Sequence, residues 1–190
     1  MHLCKAFSRH RRQIMAYAFN EAWVVDQAID ETVTVASLSP LTLPNIAPGT
    51  IRRAKDPTFG EGEFIYLLGV ADTTVGAVVS YDVATTSKYQ TALLTTAITK
   101  AEPVAIAMSA NVAASYGWYQ ISGLAVASKL LATSLVVGST IAADSGEVIA
   151  SATSNIIAGA VTALVASANT SDSVITVQVM INRPHQAAIA

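Results

Sequence analysis

Three histidines, His2, His10 and His185, are the chain's whole supply of imidazole. Two lie among the first ten residues and the third near the far end, so their placement predicts no histidine-based proton transfer. Glu61 and Glu63 share one face of an extended segment close to Asp56. A calcium site needs six to eight oxygens, and no EF-hand spacing is present. Arg52, Arg53 and Lys55 stand beside these carboxylates and make a solvated ionic turn the expected arrangement. Asp144, Glu147 and Asp172 read as isolated turn residues. Gly60-Glu61-Gly62 lacks the third glycine and the following helix of a phosphate loop. Gly117-Trp118-Tyr119 has no serine at its centre and is not a nucleophile elbow. The single cysteine, Cys4, excludes an internal disulfide framework and a multi-cysteine zinc site, and it fits a reducing cytoplasm. No catalytic, cofactor-binding or metal-ligating set is therefore expected.

Two other groups carry information. Lys5, Arg9, Arg11 and Arg12 crowd into the first twelve residues, and the rest of the chain holds seven basic against thirteen acidic residues, a net of −6. Without an adjoining aromatic platform, a nucleic-acid partner is not the expectation for this tip. It reads as an arm for an acidic protein neighbour or as an extension ahead of Met15, where a second natural start lies. The aromatic side chains Tyr116, Trp118 and Tyr119 cluster among small residues, with Phe64 and Tyr66 as a second set. Alternation puts Trp118 and Tyr119 on opposite faces of a strand. Core anchoring is one reading. The other has one of them facing out as a subunit-contact anchor.

The elements that would position these groups are β-strands. Hydrophobic residues make up 52% and charged residues 13%, against an average charged share of about 25%. Stretches 103–128 and 148–171 contain no charge. Both hold too many amides, hydroxyls, glycines or prolines for a bilayer helix, so no membrane span is expected. The apolar content is mostly alanine and valine, which suits thin layered sheet. So few charges cannot cover a lone monomer in the usual way, and apolar surface is expected to face other subunits.

Along the chain, residues 1–49 read as a basic tip and an extended arm, with Pro40, Pro44 and Pro48 spaced by four. One short strand is expected around Val33 and Val35. Residues 50–184 read as a β-rich body of short strands and glycine turns, and 185–190 as a tail. Strands are expected at 63–68, 77–83, 104–112, 117–121, 124–131, 135–137 and 147–151, and residues 89–95 read as a strand with a helix as the alternative. Residues 156–165 admit either strand or helix. The alternation of Ile175, Val177, Val179 and Ile181 predicts a strand that Pro184 ends. The fold class expected is all-β, mainly antiparallel, as a sandwich or small barrel with an extended N-terminal arm.

The segments Gly62-Glu-Phe-Ile-Tyr-Leu-Leu-Gly-Val-Ala71, Thr74-Val-Gly-Ala-Val-Val-Ser-Tyr81, Pro103-Val-Ala-Ile-Ala-Met-Ser-Ala110 and Tyr116-Gly-Trp-Tyr-Gln-Ile-Ser-Gly123 resemble, in pattern and order, the capsid decoration or cement proteins of tailed bacteriophages. The resemblance spans about residues 48–184; the basic tip departs from it. It implies a structural virion protein on the outer surface of an icosahedral capsid, made in the bacterial host cytoplasm. Its partners would be the major capsid protein, bridged between neighbouring capsomers, and further copies of itself as a trimer or dimer. Capsid contacts would then fall on Phe19, Trp23, Leu41, Leu43, Pro44 and Pro48, and subunit contacts on Tyr116, Trp118 and Tyr119. Other virion parts (neck, tail or fibre base) share the composition. A carbohydrate-binding β-sandwich would use an exposed aromatic set. An enzyme is disfavoured by the poverty of histidine, cysteine and paired acids.

Overall fold

A computed structural model describes residues 17–19, 28–34, 46–82, 89–96, 101–130, 133, 135–151, 155–164 and 175–188. The described residues form β-strands and connections only. The strands are β1 (Ala18–Phe19), β2 (Thr32–Thr34), β3 (Ile51–Asp56), β4 (Gly60–Leu68), β5 (Val78–Asp82), β6 (Gln90–Leu93), β7 (Val104–Ala107), β8 (Ser115–Lys129), β9 (Ile141–Asp144), β10 (Glu147–Ala150), β11 (Asn155–Leu164) and β12 (Ile175–Ala188). The all-β class read from composition is the class observed, and the pairing is mainly antiparallel. Parallel contact is confined to Val148 with Lys129 and to Leu68 with Gln90.

Backbone pairing runs β4–β6–β5–β7–β8 and returns from β8 to β4, so five strands close a small ring. Its interior holds Ile65 and Leu67 from β4, Val79 from β5, Ala105 and Ala107 from β7, and Tyr119 and Ile121 from β8. Alanines opposite a tyrosine are what so narrow a ring requires, because small and large side chains must interleave in a tapered space. The outer face of β5 and β7 (Val78, Val104, Ile106) packs on a second layer. That layer contributes Ala125, Ala127, Ile141, Ala143, Val148, Ile157, Ala160, Val177, Val179 and Ile181. Strands covered on both faces lose simple alternation, which is why residues 64–67 and 104–107 are buried without a break.

β8 is the common member of both layers. The sequence suggests two strands parted at Gly123, but the structure has one strand of 15 residues. Its first half pairs with β4 and its second half with β12. The handover falls at Ser122, beside Gly123, whose φ of 100° is open to glycine. A β-carbon there would stand 2.5 Å from the Glu61 carbonyl oxygen. Glycine thus bends the strand from one partner to the next instead of ending it.

Pro184 likewise fails to end β12, which continues to Ala188 and takes in His185. The ladder with β11 shifts register between Ala158 and Ala160, opposite His185 and Ile181. Pro184 sits within this bulge, where no ladder donor is required. Strand expectations also shorten elsewhere. Residues 108–112 leave β7 for a turn, and 136–139 form a turn closed by Ser139 N–H donating to the Val136 carbonyl. Asp144-Ser145-Gly146-Glu147 is the expected turn. Ser145 and Gly146 have φ of 51° and 80°, the mirror-image geometry that suits a two-residue hairpin.

Candidate functional site

The aromatic residues singled out in the sequence converge in one layer on the outer face of β4 and β8. Alternation sends Phe64 and Tyr66 of β4, with Tyr116 and Trp118 of β8, to the same side, where residues 64 and 66 lie opposite 120 and 118 across the ladder. Tyr66 stacks on Tyr116 at 5.8 Å and tilts against Trp118 at 5.2 Å. Residues 17–19 lie over this floor. β1 joins the edge of β3 through Ala18 and Phe19. Phe19 then meets Trp118 at 4.9 Å and Tyr17 meets Phe64 edge-on at 4.9 Å. Such offset and edge contacts each add about 0.5–1.5 kcal/mol beyond area burial. The Tyr17 hydroxyl donates to the Leu124 carbonyl at 2.8 Å, and Gln120 Nε2 approaches that hydroxyl at 3.4 Å. Ile29, ahead of β2, adds a further apolar side chain to the same cluster.

Phe19 and Trp118, which the resemblance assigns to a capsid contact and a subunit contact, pack against each other. Trp118 and Tyr119 do lie on opposite faces, yet each is 0% exposed. The outward-facing aromatic expected from alternation is absent because layers cover both faces of β8. Trp118 serves the layer that Tyr17 and Phe19 cover and Tyr119 the ring interior. Tyr116 is half-buried. A sugar-stacking platform on Trp118 is excluded by the same burial. Pro48 is half-buried, next to Gly49, whose N–H donates to the Tyr66 carbonyl at 2.7 Å. Trp23, Leu41, Leu43 and Pro44 lie outside the described residues.

The tyrosines are tuned toward neutrality. Burial pushes Tyr66 up to about 12, helped by the neighbouring Tyr116. Burial likewise pushes Tyr119 up to about 12, against the opposing pull of Thr91 and Asn111. Its hydroxyl lies near both of those side chains without closing a bond of good geometry to either. Burial also raises Tyr17. Phenols held protonated this firmly do not act as bases near neutral pH.

Two carboxylates beside the β3–β4 hairpin have distinct roles. Asp56 caps the β3–β4 turn, its Oδ1 accepting from the Thr58 and Phe59 amides at 2.6 and 2.8 Å. Glu63 bridges two guanidiniums. Arg53 on β3 reaches Oε1 at 3.0 Å, and Arg183 on β12 reaches Oε2 at 3.0 Å. Sequence reading paired Glu63 with the neighbouring basic residues but missed Arg183, which lies 120 positions away and carries no local signal. Burial alone would raise the Glu63 pKa. The hydrogen bonds and charges of Arg183 and then Arg53 outweigh it and hold the group below its ordinary 4.5.

A depressed folded-state pKa supplies stability above the unfolded value, lost as pH falls through the folded one. Both arginines are more than half exposed, so solvent screens each pair to about 0.2–1 kcal/mol. Glu63→Gln is expected to lower the melting temperature at pH 7 and to leave it unchanged near pH 2, where wild type and variant converge. Thermal melts across that range check this; a constant gap at all pH values counts against the bridge.

No group of three or more His, Cys, Asp or Glu suited to a metal occurs among the described residues. No helix among them is long and apolar enough to cross a membrane. Comparison with protein-family models, with curated proteins and with solved structures finds no match to this chain.

Proposed function

We propose that the chain is a non-catalytic structural subunit that decorates the outside of an icosahedral phage capsid and stabilises it by bridging neighbouring capsomers. The observation that carries the reading is the resemblance over residues 48–184. A charge-poor, all-β body with large apolar side chains left at its surface supports it. Within this reading the body is the load-spreading block, and the N-terminal arm reaches the shell. Phe19 ties that arm to the body through Trp118, leaving Trp23 and the 41–48 segment to meet the major capsid protein. Many weak contacts repeated around a shell give high total avidity without any one strong site.

Mass spectrometry of purified particles from the virus encoding this chain provides the test. The expected result is a copy number of the same order as the major capsid protein, with salt or mild denaturant stripping the chain while the shell survives. A few copies per particle would move the chain to a neck or fibre base. Absence from the particle would overturn the structural reading.

A further inference from the structure

The face of β8 that bears the aromatic floor continues past Leu124 across β12 to β11. Met180 pairs with Leu124 on one side and with Val161 on the other, and Gln178 pairs with Val126 and with Leu164. Paired residues project to the same side of a sheet, so Val161, Leu164, Gln178 and Met180 form one outward surface. The opposite side of these strands, Ala160, Thr162, Val177, Val179 and Ile181, is buried. The turn that bears Val136 and Val137 borders the same strand: Gly138 N–H donates to the Thr162 carbonyl, and Thr162 N–H donates to that of Ser139.

Val136, Val137, Val161, Leu164 and Met180 range from 38 to 68% exposed. They are five of the nine large hydrophobic side chains exposed among the described residues. No charged residue occurs in 136–141, 156–164 or 176–182.

We infer that this face is an interface between two copies of the chain. A partner surface bearing charges would lose their hydration against a face that offers no counter-charge, and unpaired buried charge is costly. The complement must therefore be as neutral and apolar as the face itself. The same face on a second copy meets that condition, in an arrangement where each surface contacts its own equivalent across a two-fold axis. Size agrees. A standard interface covers about 800 Å² per partner, a little over half of it apolar. Five such side chains supply apolar surface on the order of a few hundred Å², with Thr176, Gln178 and Asn182 flanking Met180 along β12 as its uncharged polar part.

The inference deepens the structural reading by naming how copies join, but it is tested on the isolated chain. Sedimentation equilibrium of the wild type is expected to show a dimer at micromolar concentration. Leu164→Lys with Met180→Lys is expected to shift the dissociation constant at least 100-fold toward monomer, with an unchanged far-ultraviolet spectrum. Val75→Lys, on an exposed valine of the β4–β5 connection, is expected to leave the dimer intact.

A readout on the wild type needs no variant. The rate of Met180 oxidation by dilute peroxide is expected to fall at least tenfold as the protein is concentrated through the dissociation constant. The rate for buried Met108 is expected to stay low throughout. A monomeric wild type, a double-lysine variant that associates as tightly as wild type, or a Met180 rate independent of concentration each overturns the interface. A monomer found in abundance on purified particles would overturn this inference alone and leave the structural reading standing.

Discussion

Trp118→Ala is expected to lower stability by about 3–5 kcal/mol and to loosen the N-terminal segment in the same step. The indole is 0% exposed and touches both Tyr66 and Phe19. Removing it opens a cavity between two strands and withdraws the surface on which β1 rests. β1 is only two residues long, so its backbone pairing cannot hold the segment without that surface. The global effect is a fall in melting temperature of roughly 2–4 °C per kcal/mol for a domain of this size. The local effect is faster chymotryptic cleavage after Tyr17 and Phe19 under native conditions. Trp118→Phe is the informative companion. Trp118 Nε1 is buried and finds no acceptor among the described residues, so phenylalanine removes an unsatisfied donor while keeping a ring for Phe19. Its expected cost is less than half that of alanine. Equal cleavage of Trp118→Ala and wild type would show that the segment does not depend on the indole.

Gly117→Ala is expected to destabilise the fold by about 1–3 kcal/mol or more, with an unusual dependence on Asn111. A β-carbon at 117 would run into the Asn111 side chain. That amide is 0% exposed and pinned by the Ser109 hydroxyl, which donates to its Oδ1 at 2.9 Å. Asn111→Ala removes the obstruction, so the double variant is expected to be more stable than the sum of the two single losses implies. Gly69→Ala is the control. Its β-carbon would strike the Asn111 backbone carbonyl, which no substitution trims, so Asn111→Ala is not expected to rescue it. Denaturant unfolding of the five variants completes both cycles. Additive losses at 117 and 111 would remove the steric explanation.

Fold class was legible because the signal repeats along the whole chain. β-branched and small residues recur with turn residues between them, and the turn at Asp144-Ser145-Gly146 could be placed from those residues alone, although the strand that precedes it, Ile141–Asp144, could not. Strand ends were less legible wherever one residue type serves two purposes. Gly123 and Pro184 normally interrupt strands, and here they sit at a partner exchange and a bulge. The site was half legible. Phe19, Tyr116 and Trp118 were identified, but their mutual contact was not, since nothing local says that residue 19 crosses to residue 118. The exterior role assigned to Trp118 or Tyr119 rested on one covered and one open sheet face. A layered fold with β8 at its centre has no open face at those positions. The Met180 face escaped notice because its outward residues alternate with an inward row that looks equally apolar.

The central position of β8 also bears on how the chain reaches this shape. Its second half is completed by β12, which is synthesised some fifty residues later. Between those events the ribosome carries a β8 with a bare polar edge and an uncovered apolar side. Pairings that distant in the chain close slowly, and waiting strands of this kind invite wrong partners. Yield of soluble protein should therefore respond to translation speed and temperature, with slow, cool synthesis favouring the native product over aggregates.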